Sequence, residues 1–200
     1  MDQGRESRSP LNGRGNRRAV LRAALGLPLI ALCPRLARLA AAQGDARSGR
    51  PQTGDRFAFT AGPRSGQVVS AADVPVGGPP VTAYPIDASG VVRDGSRLNQ
   101  VLLVHFETGD LTEDTRSRSG EGILAYSGVC THAGCDVTVW KAEVKRFACP
   151  CHESEFDPRD GGRVVGGPAP RRLPALPVKI VEGAPTAAGG FSSRPGFQPA

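Results

Sequence analysis

The sequence predicts an all-β fold. Three observations carry that expectation. Gly 26 and Pro 18 of 200 residues place a turn-former at more than one position in five, while aromatic residues make up only 5%. Beyond the first 42 residues, short apolar runs alternate with turn clusters. No stretch there sustains the 3.6-residue apolar period of an amphipathic helix. A helical bundle or coiled coil is thereby disfavoured, and the Pro/Gly load is below that of a collagenous or disordered chain.

Taken in order, the segments support this reading. Gln67 to Ser70 is a strand candidate, and the Pro- and Gly-rich stretch 75–80 is irregular. Val81 to Ile86 and Gly90 to Arg93 are short strands flanking a turn at 87–90. Val101-Leu102-Leu103-Val104-His105-Phe106 is a continuous apolar run. Six residues with β-branched ends suit a buried strand better than a helix. The charged, Gly/Ser-rich stretch 107–122 reads as a solvated surface loop with one helical turn near Glu113. Strands follow at Ile123 to Ser127, at the alternating Val137-Thr138-Val139-Trp140, at 145–148, at 163–165 and at 178–181. Trp140 is read as a packing residue. The Gly/Pro/Ala-rich 184–200 is read as a flexible C-terminal tail.

The formal charge of +6 could suggest nucleic acid or anionic lipid as a partner. Its distribution excludes that use. Residues 1–42 hold eight Arg against Asp2 and Glu6, so the remainder is formally neutral. The basic segment precedes an apolar stretch from Ala23 to Cys33 and the small residues Ala40-Ala41-Ala42, the layout of an export signal. Arg17-Arg18 with the following Ala-Val-Leu is similar to a twin-arginine signal. Pro28 interrupts the apolar stretch and Pro34 closes it, short of the roughly 20 residues a membrane span needs. Left uncleaved, the segment would still tie the protein to a membrane surface. The expected plan is an export signal at 1–42, a linker at 43–56, the working domain at 57–183 and the tail. Nucleic acid is not expected as a partner.

Four of the five cysteines and two of the three histidines lie in two short segments, Cys130-Thr131-His132-Ala133-Gly134-Cys135 and Cys149-Pro150-Cys151-His152-Glu153-Ser154. Two structural disulfides would leave the histidines unexplained. A zinc site would use the same ligand types, but its cysteines commonly pair within one loop. Here each loop offers cysteine and histidine together.

The pattern Cys-x-His, sixteen residues, Cys-x-x-His resembles the Rieske iron–sulfur family, in the cytochrome bc branch and in the small subunit of arsenite oxidase. The resemblance covers residues 57–183. It implies stacked antiparallel sheets with a small cluster-binding subdomain at about 125–170. It also implies one [2Fe–2S] cluster per chain, with Cys130 and Cys149 on one iron and His132 and His152 on the other. In that branch, cysteines at the places of Cys135 and Cys151 form a disulfide between the loops, which an oxidising compartment would preserve. Gly134, Pro150, Ser154, Phe156 and Pro168 fall at positions that surround the cluster. Ser154 matches a serine that bonds a bridging sulfide. Phe156 replaces a common Tyr, and Pro168 belongs to a proline loop shielding the cluster. Glu153 stands where the branch has Gly, and Ala133 where quinol-oxidising relatives have Leu.

The implied function is one-electron transfer within an exported respiratory complex. Its partners would be a cytochrome b or molybdopterin subunit and a c-type cytochrome. The alternative is a stand-alone Rieske ferredoxin or a Rieske oxygenase component. An oxygenase subunit needs a further two-His, one-carboxylate iron site, and His105 is the sole remaining histidine. His105 reads as a hydrogen-bonded residue at the core edge. Arg171-Arg172 reads as a solvated pair.

Overall fold

The computed structural model describes residues 46–198. The expected export signal at 1–42 lies outside the described residues. Eleven strands form two antiparallel sheets: β1 (Arg56–Phe59), β2 (Val81–Ile86), β3 (Val101–His105), β4 (Ile123–Ser127), β5 (Val139–Lys141), β6 (Arg146–Ala148), β7 (Glu155–Asp157), β8 (Arg163–Gly166), β9 (Ala175–Leu176), β10 (Val178–Val181) and β11 (Ala184–Ala187). The larger sheet has the order β10-β11-β1-β2-β3-β4-β9, and the smaller β5-β6-β7-β8. A short α-helix, α1 (Glu113–Arg116), is N-capped by Thr112. Among the described residues no helix is long and apolar enough to cross a membrane.

The apolar run at 101–106 explains how the two layers meet. β3 and β4 pair in the register Leu102↔Tyr126 and Leu103↔Ala125. Because strand side chains alternate, each strand presents two faces. Val101, Leu103, Ile123 and Ala125 enter one core cluster with Phe57, Ala83 and Leu176. Leu102, Val104, Leu124 and Tyr126 enter a second, with Phe147 and Phe156 of the smaller sheet. A strand buried on both faces reads as continuous apolar sequence, as this one does. Tyr126 also locks the layers. Its hydroxyl donates to Pro158 O at 2.6 Å, and its ring meets Phe147 edge-on at 5.9 Å. Burial pushes its phenol well above the ordinary range. Trp140 packs against Phe147 at 5.6 Å, in the packing role its sequence suggests.

Several expectations need correction. Residues 46–55, expected as linker, are tied to the domain. Buried Asp55 accepts from Arg93 Nε at 2.7 Å and from Nη2 at 3.2 Å, and Asn99 donates to Gly49 O. The expected tail contains β11, buried along its whole length and paired with β10 and β1. Its Ala-Pro-Thr-Ala sequence has weak β-propensity, and tertiary pairing overrides that. Pro185 is tolerated because β1 engages β11 only at Thr186. The candidates at 67–70 and 90–93 form single bridges, Ala58↔Val68 and Ile86↔Val92, rather than strands. The stretch 107–122 is not simply solvated: Leu111 and Thr115 are buried.

Candidate metal centre

The six-residue segments 130–135 and 149–154 fold into two loops with one hydrogen-bond plan. In the first, Cys130 N–H donates to Cys135 O at 2.8 Å and Gly134 N–H to Cys130 O at 3.1 Å. In the second, Cys149 N–H donates to Ser154 O and Glu153 N–H to Cys149 O, both at 2.9 Å. Four residues after each cysteine the backbone turns left-handed, at Gly134 (φ 75°) and at Glu153 (φ 58°). Glycine meets that demand freely, and glutamate does not.

The supports differ. The second loop joins β6 to β7 directly, so a sheet ladder closes it. The first runs from β4 of the larger sheet to β5 of the smaller. Only the bridge Val129↔Asp136 and the bond from Val137 N–H to Gly128 O close its neck.

The disulfide Cys135–Cys151 links the loops across 16 residues. Cys130 and Cys149 remain as buried free thiols. The sulfurs of Cys135, Cys149 and Cys151 also lie within 4.8 Å of one another. Two of those three are joined in the disulfide, so they offer no thiolate to a metal. His132 and His152 bring their rings to 4.6 Å between centroids, nearly perpendicular at 88°. His132 is half-buried and His152 exposed.

The surroundings fit a cluster. His132 Nδ1 and Ser154 Oγ are buried without a hydrogen-bond partner. Such groups are costly unless something else satisfies them. Burial pushes the Cys130 thiol up; the His132 amide, 3.5 Å from its sulfur, opposes this, and the Cys149 thiol adds to the rise. A bound cation reverses that balance, because it favours the thiolates. Phe156 is fully buried in the core cluster that contains both thiols. Pro150 is exposed at the loop tip.

A third segment, 167–170, closes the side. Gly167 (φ 74°) crosses so near the second loop that a Cβ there would lie 2.5 Å from Ser154 Cα, so only glycine fits. Pro168 is exposed, and Ala169 packs beside the thiols. Thr131 Oγ1 donates to Arg171 O at 2.6 Å, joining this segment to the first loop.

Gly167 belongs to the segment that the family resemblance already assigns to the shielding loop. Two contributors were not legible in the sequence. Arg97 is one: its guanidinium donates to Gly134 O at 2.9 Å. The other is Arg171, which is no solvated side chain. It donates to Ser193 Oγ at 3.3 Å, Arg194 O at 2.9 Å and Gly196 O at 2.6 Å. Both depend on acceptors distant in sequence that no local pattern announces. His105 has both ring nitrogens against backbone carbonyls, Val74 O at 3.2 Å and Glu121 O at 3.1 Å, and offers none to a metal. A cavity of about 550 Å³ near Arg50, Asn99 and Phe191 includes none of the thiols or imidazoles.

Comparison with known proteins places this geometry. The family model described as "Rieske [2Fe-2S] domain" matches residues 68–177. The chain is 41% identical over 100 residues to the cytochrome bc1 complex Rieske iron-sulfur subunit of Corynebacterium glutamicum, covering 46% of this chain and 24% of that one. It is 51% identical over 72 residues to a putative respiratory nitrate reductase subunit Rieske of Haloferax mediterranei, covering 36% of this chain and 32% of that one. Among solved structures it is similar to the soluble domain of the Rieske protein II from Sulfolobus acidocaldarius. That match has 26% identity and a TM-score of 0.37, over 47% of this chain and 65% of that one. The chain spans about a quarter of the length of the first curated relatives it matches.

Proposed function

The chain belongs to the Rieske [2Fe–2S] family, and on that premise we propose that it is the one-electron carrier subunit of a respiratory oxidoreductase complex. The observation that carries the reading is the meeting of two buried free thiols and two neighbouring imidazoles from two disulfide-linked loops. Cys130 and Cys149 are the thiolate ligands and His132 and His152 the imidazole ligands. When bound, the cluster supplies a one-electron Fe(III)/Fe(II) couple, with the imidazole-held iron the easier to reduce.

The rest is the work of the chain. The buried thiols, walled by Phe156 and Ala169, keep water from one side of the centre. The Ser154 hydroxyl faces inward, available to a sulfide. His152 lies at the surface, where an electron enters or leaves. The third histidine is engaged by backbone, so no second iron site is available for oxygenase chemistry among the described residues.

The relatives named as subunits of a cytochrome bc1 complex and of a respiratory nitrate reductase support assembly with partner subunits. The donor is a cytochrome b or molybdopterin subunit and the acceptor a c-type cytochrome. Residues 1–42 direct export, leaving the domain in the periplasm or on the outer face of the cytoplasmic membrane. The test is electron paramagnetic resonance of the reduced, purified protein. A signal with average g below 2, lost in Cys149→Ser and in His152→Ala, is expected. Stoichiometric zinc with no such signal overturns the reading.

A further inference from the structure

The two loops share a plan but not a support, and the difference is made up from far along the chain. The first loop lacks a sheet ladder at its neck. Two arginines reach it instead. Arg97 binds the Gly134 carbonyl and approaches Asp136 at 3.3 Å. The segment 188–198 reaches it too. Ala188 N–H donates to Pro177 O, and Ser192 N–H to Ala175 O, both at 2.8 Å; Ala175 N–H returns a bond to Ser192 Oγ. The segment then passes over the loop, with Gly196 close to Val129 and Leu98, and Phe197 against Gly134.

Arg171 is where these pieces join. Its carbonyl holds Thr131, the residue between Cys130 and His132. Its guanidinium holds the passing segment at Ser193, Arg194 and Gly196. Among the described residues it makes no ion pair, and both its terminal nitrogens bond the segment. The guanidinium is partly desolvated, which pulls its pKa down, and these acceptors offset that burial.

We propose that Arg171 is a positioning residue that uses segment 188–198 as a strap, holding the first loop, Cys130–Cys135, in the geometry that ligation requires. The proposal rests on the ligand assignment above only for its effect on the cluster. The constraint on the loop stands on the hydrogen bonds alone.

The experiment compares the full-length, cluster-loaded protein with Arg171→Ala, with Arg171→Lys, with a deletion of residues 190–200, and with Arg171→Ala combined with the deletion. Two quantities are read: amide hydrogen exchange in 130–135 against 149–154, and the width of the resonance lines of the reduced protein. Loss of the strap should speed exchange in the first loop about tenfold or more, and leave the second unchanged. The lines should broaden as the first loop samples more geometries. The double variant should resemble the deletion, because both changes remove one device. Arg171→Lys should recover part of the protection, since it restores charge but not the fork. Unchanged exchange in the first loop, or equal opening of both loops, overturns the strap. If every variant lacks the iron signal while first-loop exchange still responds, the ligand assignment fails and the strap stands.

Discussion

Glu153 holds a left-handed backbone, φ 58°, at a place where its counterpart Gly134 has no side chain to strain. That conformation costs a non-glycine residue about 1 kcal/mol or more. Glu153→Gly should therefore raise the urea midpoint by an amount corresponding to about 1 kcal/mol, since the side chain is exposed. It should also raise the reduction potential, because a carboxylate beside His152 favours the oxidised, more positive centre. A lower midpoint would show that the glutamate is held by something other than its own backbone. Phe156 offers a complementary change. It is fully buried in the cluster that contains both thiols, and Phe156→Tyr should raise the potential by giving a cysteine sulfur a hydroxyl donor. A voltammetric midpoint that does not move would place the new hydroxyl elsewhere. Cysteine and histidine are rare here and chemically eloquent, so their grouping was readable. Arg171 was not, because its acceptors are oxygens 22 to 25 residues away.

At the level of elements, the small sheet is tied by one carboxylate. Glu155 of β7 accepts from Lys141 of β5, and from Arg146 of β6 at 3.5 Å. The Lys141 bond, against the cost of burial and with help from Arg146, holds the Glu155 carboxyl below the usual glutamate range. An unfolded glutamate titrates near about pH 4.3. The folded value is lower, so this contribution is complete above that pH and disappears as pH falls through the folded value. The urea midpoint of the protein should thus fall more steeply between about pH 5 and about pH 3 than that of Glu155→Gln. Parallel curves would remove Glu155 from the account. The same scale shows what patterning can convey. The run at 101–106 declared β3, because burial on both faces leaves apolar residues at every position. β11 could not be declared, because Ala, Pro and Thr carry no strand pattern of their own; a tight hairpin with β10 and pairing with distant β1 make it a strand.

Across the whole molecule, the disulfide Cys135–Cys151 joins a loop that runs between the two sheets to a loop held within the smaller one. In the chain-entropy view, closing a loop of this length restricts the unfolded chain by about 3 kcal/mol. Cys135→Ser should lower the potential, shorten the lifetime of the bound cluster and lower the unfolding midpoint. Unchanged values would leave the disulfide without a role at the centre. The all-β architecture was readable because turns and short strands are local, and the division into two layers was implied by the family resemblance. The boundaries were not readable: at both ends, polar and Gly/Pro-rich residues belong to the packed domain through partners distant in sequence, as Asp55 does with Arg93.

β1 begins at Arg56 and pairs with β11 at Thr186, so the larger sheet contains a seam between strands far apart in sequence. Synthesis therefore delivers the two halves of that seam at widely separated times. Until residue 187 has emerged, β1 has an open edge on one side, while both cysteine loops have already left the ribosome. Such a long-range closure is slow compared with hairpin formation. Both thiols lie in the core built by residues 102 to 175, to which neither β1 nor β11 contributes, so their shelter does not wait for that seam.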